Sequence, residues 1–173
     1  MDFYYLYKKL ETTKATIFLD IDGVLRNFKS DLKWSKELSL PIYKGHDRLF
    51  NKSSVAFLNE VIYLTGADIV ITSNWRLSLN LIQLKESFKK RGVDGHIKGT
   101  TESFISSYDP FPIGNRGIEI LKYIQVNNIE KYVIIDDQIS DIISLLPIDK
   151  VIKINPLECI TSNDVDKILN ILL

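Results

Sequence analysis

Two short clusters of aspartates follow apolar runs in this chain. Ile17-Phe18-Leu19-Asp20-Ile21-Asp22-Gly23-Val24-Leu25 carries the first pair, and Val133-Ile134-Ile135-Asp136-Asp137-Gln138-Ile139-Ser140-Asp141 gathers three more acids. Like charges so close repel, and burial disfavours their ionised forms. A divalent cation would remove both penalties. The chain has only two histidines and one cysteine, so the donors at hand are oxygens, which suit magnesium better than zinc. Gly23 permits a sharp turn out of the first run. A third apolar run ends in hydroxyls and an amide, as Ile69-Val70-Ile71-Thr72-Ser73-Asn74. Alone, an Asp-x-Asp-Gly run is weakly specific, because calcium loops also begin that way.

The elements that must position these residues alternate in type. Ala15–Leu19, Asp68–Ile71, Tyr132–Ile135 and Lys150–Ile154 are short, Ile- and Val-rich runs. Such runs read as strands buried on both faces, as in a parallel sheet. A weaker fifth strand is placed at Val93–Lys98. Helical spacing joins Val55, Leu58, Val61, Ile62 and Thr65, with Ser53 or Ser54 as N-cap. A second helix is expected over Leu77–Lys90, ending near Gly92. A third begins near Asn115 and runs through Ile118, Leu121, Ile124 and Gln125. The last spans Val165–Leu172 and is capped within Ser162-Asn163-Asp164. This alternation predicts βαβ units and an open α/β sheet. In such sheets, ligands bind outside the carboxyl ends of the strands. All three polar clusters fall there.

Composition narrows the classes. The 173 residues and 19.9 kDa suffice for one cored domain over 1–173. Lys plus Arg equal Asp plus Glu at 22 each, which argues against a strongly basic nucleic-acid binder. High apolar content and zero net charge argue against disorder. One cysteine, Cys159, allows no intrachain disulfide. No apolar run approaches the roughly 18 residues of a membrane span, and the N-terminal residues lack a signal-peptide pattern. The expectation is a soluble, cytoplasmic domain without membrane partners.

The ordered motifs resemble the haloacid dehalogenase-like (HAD) superfamily across nearly the whole chain. Asp20-Ile21-Asp22-Gly23-Val24 resembles its motif I in the two-aspartate phosphatase form. Ile69–Asn74 resembles motif II, and Asp136-Asp137 with Asp141 resembles motif IV. Arg116 stands where the motif III basic residue, more often Lys, belongs. A narrower similarity, carried by Thr72-Ser73-Asn74-Trp75-Arg76, Arg116-Gly117-Ile118-Glu119-Ile120 and Ile135-Asp136-Asp137, is to small HAD domains associated with Swiss-army-knife RNA-repair proteins. Asn155–Thr161 follows that pattern, except that Cys159-Ile160 stand in place of Gly-Leu.

The resemblance implies a Rossmann-like three-layer sandwich with a mainly parallel sheet, a minimal cap and magnesium-dependent hydrolysis of phosphate monoesters. It implies Asp20 as nucleophile and Asp22 as acid and base. Magnesium would be held by the carboxylates of Asp20 and Asp137 and the backbone carbonyl of Asp22. Ser73 and the backbone N–H of Asn74 would bind phosphoryl oxygens, and Arg116 would supply positive charge. Asp141 would orient Arg116 or a metal-bound water, and Asp136 stands where motif IV often has Gly. Thr72 is the alternative to Ser73, and Lys122 or Lys98 the alternative to Arg116. Blander roles are also open. Ser73 can cap a turn before Trp75, Arg116 can be an exposed helix-start residue, and Asp141 can cap the helix that follows it. Trp75 reads as packing, Arg76 as a phosphate contact or a loop anchor, and Cys159 as a small buried hydrophobe. His46 and His96 read as structural or surface residues. Tyr4, Tyr5 and Tyr7 either pack across a sheet edge or mediate a contact.

Residues 26–52 read as a flap or small cap insert. Arg26, Lys29, Lys33, Lys36, Lys44, Arg48 and Lys52 outnumber Asp31, Glu37 and Asp47, with Phe28, Trp34 and Tyr43 interleaved. This fits a phosphorylated substrate with a ring, such as a nucleotide or a nucleic-acid end, and equally a solvated amphipathic loop. The rival readings are a phosphatase of small metabolites or phosphoproteins, and a non-catalytic binding module.

Overall fold

The computed structural model describes residues 14–27, 29, 31, 32, 36, 49–104 and 115–173. Most of the 26–52 insert, His46 and the three N-terminal tyrosines therefore lie outside the described residues. The strands are β1 (Thr16–Leu19), β2 (Asp68–Ile71), β3 (Ile97–Thr100), β4 (Tyr132–Asp136) and β5 (Val151–Lys153). The helices are α1 (Lys52–Thr65), α2 (Leu81–Lys90), α3 (Arg116–Val126) and α4 (Ser162–Leu172). The strands pair in parallel in the order β3-β2-β1-β4-β5. This is the expected Rossmann-like α/β architecture.

Strand alternation explains the two-sided core. Ile17, Leu19, Ile69, Ile71, Val133 and Ile135 face one layer, packed by Leu58 of α1, Leu84 and Phe88 of α2, and Val165 and Ile168 of α4. Phe18, Val70, Tyr132 and Ile134 face the other, with Ile120 of α3. Phe18 lies edge-on to Tyr123 and Tyr132 at 5.7 and 5.9 Å. Because β1 sits centrally between β2 and β4, its carboxyl end is flanked by theirs.

Several boundaries differ from the sequence reading, each for a local reason. The α1 N-cap is Asn51, not Ser53 or Ser54: its side chain accepts from both of their backbone N–H groups. Ser54 Oγ donates instead to the Ile160 carbonyl at 3.0 Å. The expected Leu77–Lys90 helix divides into a 3₁₀ turn at Asn74–Leu77 and α2. Asn80 breaks it by forming a reciprocal capping box with Gln83, a stronger start signal than the apolar spacing. Thr161 caps α4, with Asp164 as its capping-box partner. Strand β3 begins later than Val93, whose N–H closes the end of α2 on the Phe88 carbonyl at 3.1 Å.

Candidate active site at the carboxyl rim of the sheet

Strand β1 delivers Asp20 to the rim. Its N–H continues the ladder to the Ile135 carbonyl at 3.0 Å, and the residue is 4% exposed. Gly23 then turns the chain with φ 84°. A Cβ there would lie 2.6 Å from Asp137 Oδ2, so the glycine serves both the turn and the approach of the second acidic cluster. Asp22 is held by other partners. Its Oδ2 accepts from Trp75 Nε1 at 2.9 Å, and its Oδ1 accepts from Arg26 Nη1.

Strand β4 delivers Asp136, fully buried, and the half-buried Asp137. Asp136 Oδ1 accepts the Gln138 N–H at 2.9 Å, and Oδ2 accepts from Arg116 Nη1 at 2.5 Å. Asp20, Asp136 and Asp137 each present a carboxylate oxygen within 4.8 Å of the others. Burial, with repulsion from Asp136, pushes the Asp20 carboxyl up to about 7, against the pull of Arg116. Burial also raises Asp136, again opposed by Arg116, and it raises Asp137. All three are thus short of positive charge despite the arginine. An oxygen-ligated divalent ion fits this donor set.

Arg116 opens α3, as expected. Its Nη1 lies 3.4 Å from Asp20 Oδ1 as well as against Asp136. Burial would lower its pKa, but Asp20 and Asp136 reverse the sign and raise it. Lys122 is turned away, paired with Glu102 at 2.7 Å and lying 4.7 Å over the Phe104 ring. Lys98 is exposed on β3. Asp141 accepts the Gly117 N–H at 3.2 Å, so it caps the start of α3 rather than a helix following it. A Cβ on Gly117 would meet the Asp141 carbonyl oxygen at 2.4 Å. This close approach seats Arg116 beside the β4 loop.

Strand β2 ends beside β1, with Leu19 opposite Ile71. Ser73 is buried, and its Oγ accepts the Trp75 N–H at 3.5 Å, which is the turn-capping role. Thr72 Oγ1 is buried with no hydrogen-bond partner among the described residues. Asn74 is exposed at the start of the 3₁₀ turn.

Two arrangements were not legible beforehand. The first is the clamp of Arg26 and Trp75 on Asp22; its signal was the four-residue spacing of Asp22 and Arg26. The second is a buried pair of Arg76 and Glu119. Arg76 also donates to the Thr72 carbonyl, and Glu119 Oε1 accepts the Phe104 N–H at 3.1 Å. Arg76 thus anchors the loop after β2 to α3.

The family described as HAD domain in Swiss Army Knife RNA repair proteins matches residues 16–165. The chain belongs to this family, whose membership points to HAD-type phosphatase chemistry in general. No curated protein and no solved structure gives a significant match.

Proposed function

We propose that this domain is a magnesium-dependent phosphomonoesterase working through a covalent phosphate on Asp20. The observation that carries this reading is the clustered trio Asp20, Asp136 and Asp137 with Arg116 against it. Asp20 attacks phosphorus, the bond to the ester oxygen breaks, and the leaving oxygen takes a proton from Asp22. Water then attacks the same phosphorus and gives a proton to Asp22. The bond to Asp20 breaks and inorganic phosphate leaves. Arg116, Ser73 and the Asn74 N–H bind phosphoryl oxygens, and Thr72 is the substitute hydroxyl. Asp136 anchors Arg116, and Asp141 holds the helix that carries it. Asp20, Asp137 and the Asp22 carbonyl would hold magnesium, which when bound screens the phosphoryl charge against the incoming carboxylate.

The substrate we favour is a nucleotide or a nucleic-acid end phosphate. Two things support it: the family's association with RNA-repair proteins, and the basic, aromatic composition of 26–52. That segment leaves and rejoins the rim at adjacent points, since the Asn51 N–H donates to the Leu25 carbonyl at 2.7 Å. Both ends of the insert are thus rooted beside the turn that follows Asp20 and Asp22.

The test is hydrolysis of p-nitrophenyl phosphate with magnesium and with EDTA. Turnover should need magnesium and disappear in Asp20→Asn; full turnover in that variant would refute the nucleophile assignment. Oligonucleotides with terminal phosphates should compete. If none competes or is dephosphorylated, the substrate is a small metabolite or phosphoprotein instead.

A further inference from the structure

We infer that Arg26 is a positioning residue for Asp22, holding its carboxylate against the indole N–H of Trp75 for proton delivery to the leaving oxygen. The inference rests on the proposed role of Asp22 as proton donor. Arg26 is folded back over the turn by a hydrogen bond from the Gly23 N–H to its own carbonyl, 2.8 Å long. Its guanidinium forks between two carboxylates: Nη1 donates to Asp22 Oδ1, and Nη2 donates to Asp31 Oδ2 at 2.8 Å. The Arg26 and Asp31 side chains are only 7% and 4% exposed, against 53% for Asp22.

That asymmetry is the argument. An exposed ion pair four residues apart would mean little. Burying a guanidinium is costly, and here the buried fork reaches outward to fix an otherwise half-exposed acid. Asp31 anchors the fork from behind. Trp75 supplies the second fixed donor, on the other oxygen of Asp22. Trp75 is 4% exposed and its ring packs 5.9 Å from that of Phe50, so it cannot follow a wandering carboxylate. With each oxygen held by a different rigid donor, Asp22 loses the rotamers that would take its proton away from the ester. Asp31 also belongs to the 26–52 insert, so the insert and the acid share one arginine.

The device matters most when the leaving oxygen is strongly basic. A nitrophenolate departs without a proton, whereas an alkoxide such as a sugar hydroxyl must receive one from Asp22 as its bond to phosphorus breaks. The experiment compares kcat/KM for p-nitrophenyl phosphate and a simple alkyl phosphate in wild type, Arg26→Gln, Trp75→Phe and Asp22→Asn. The alkyl-to-aryl ratio should fall roughly 10- to 100-fold in Arg26→Gln, part of what general acid catalysis supplies. Trp75→Phe, which removes only the N–H donor, should lower the ratio in the same direction. Arg26→Gln added to Asp22→Asn should lower it no further. Equal losses on both esters, or an additive double variant, would overturn the inference. A wild type inert on every ester would refute the phosphatase reading instead. A crystal structure of Arg26→Gln then decides the positioning claim alone: Asp22 displaced from Trp75 supports it, and Asp22 unmoved overturns it.

Discussion

Replacing Asp20 with Asn should make the metal-free protein more stable, and more so as pH rises. Burial and the neighbouring Asp136 lift the Asp20 carboxyl from 3.8 to about 7. The folded state therefore holds a proton that the unfolded state has lost between those values. The sign follows: Asp20 costs nothing below pH 3.8, and its cost grows until pH passes about 7. The full cost corresponds to about 4 kcal/mol, an upper limit because a real interior relaxes around the charge. About 2.5 kcal/mol of it develops between pH 5 and pH 8, the rest below pH 5. Asn keeps the shape and removes the ionisation, and its amide can donate to Asp136. The assay is urea unfolding of both proteins in EDTA at pH 5 and pH 8, fitted with a shared m-value. Asp20→Asn should gain up to about 1.5 kcal/mol at pH 5 and up to about 2.5 kcal/mol more at pH 8. Magnesium should restore wild-type stability at pH 8, because a ligand that binds only the folded state stabilises it. It should do so much less at pH 5, where Asp20 is protonated. An advantage equal at both pH values, or no advantage at pH 8, would refute the electrostatic reading of the trio.

Two shorter expectations follow from the same geometry. Gly23→Ala forces a side chain into φ 84° and onto Asp137 Oδ2. It should cost at least about 1–2 kcal/mol and abolish the magnesium-induced rise in thermal midpoint, which scanning calorimetry reads directly. Arg116→Met leaves Asp136 buried without its cation, and should lower kcat on an aryl phosphate by about 10²–10³-fold, the scale for losing one charge-stabilising donor.

The layout of the fold was legible because both of its signals are local. Ile- and Val-rich runs marked four strands within a residue or two, and their polar followers marked the rim. Caps were less legible, since Asn51, Asn80 and Thr161 compete with nearby Ser and Asp residues that look equally suitable. Side-chain partners were least legible. Motif order favours Arg116 over Lys122 and Lys98, but its contacts depend on α3, whose start Asp141 and Gly117 set against the β4 loop. Spacing hinted at Asp22 and Arg26, but nothing in the sequence brings Trp75 to Asp22 across 53 positions. Only the adjacency of β1 and β2 does so.

The departure from the resembled pattern at Cys159 has a backbone meaning. Cys159 stands where Gly is expected, and it adopts φ 62°. In that left-handed region a side chain costs roughly 1–2 kcal/mol that glycine avoids. The segment nevertheless holds its place. Ile160 N–H donates to the Val24 carbonyl at 3.0 Å, and Ser54 Oγ donates to the Ile160 carbonyl at 3.0 Å. These bonds tie the 155–160 loop to the turn after Asp20 and Asp22 and to α1. The cysteine is fully buried, and burial pushes its thiol up to about 11, so it packs as a neutral side chain. Cysteine adopts the left-handed conformation with a strained backbone offset by buried apolar surface.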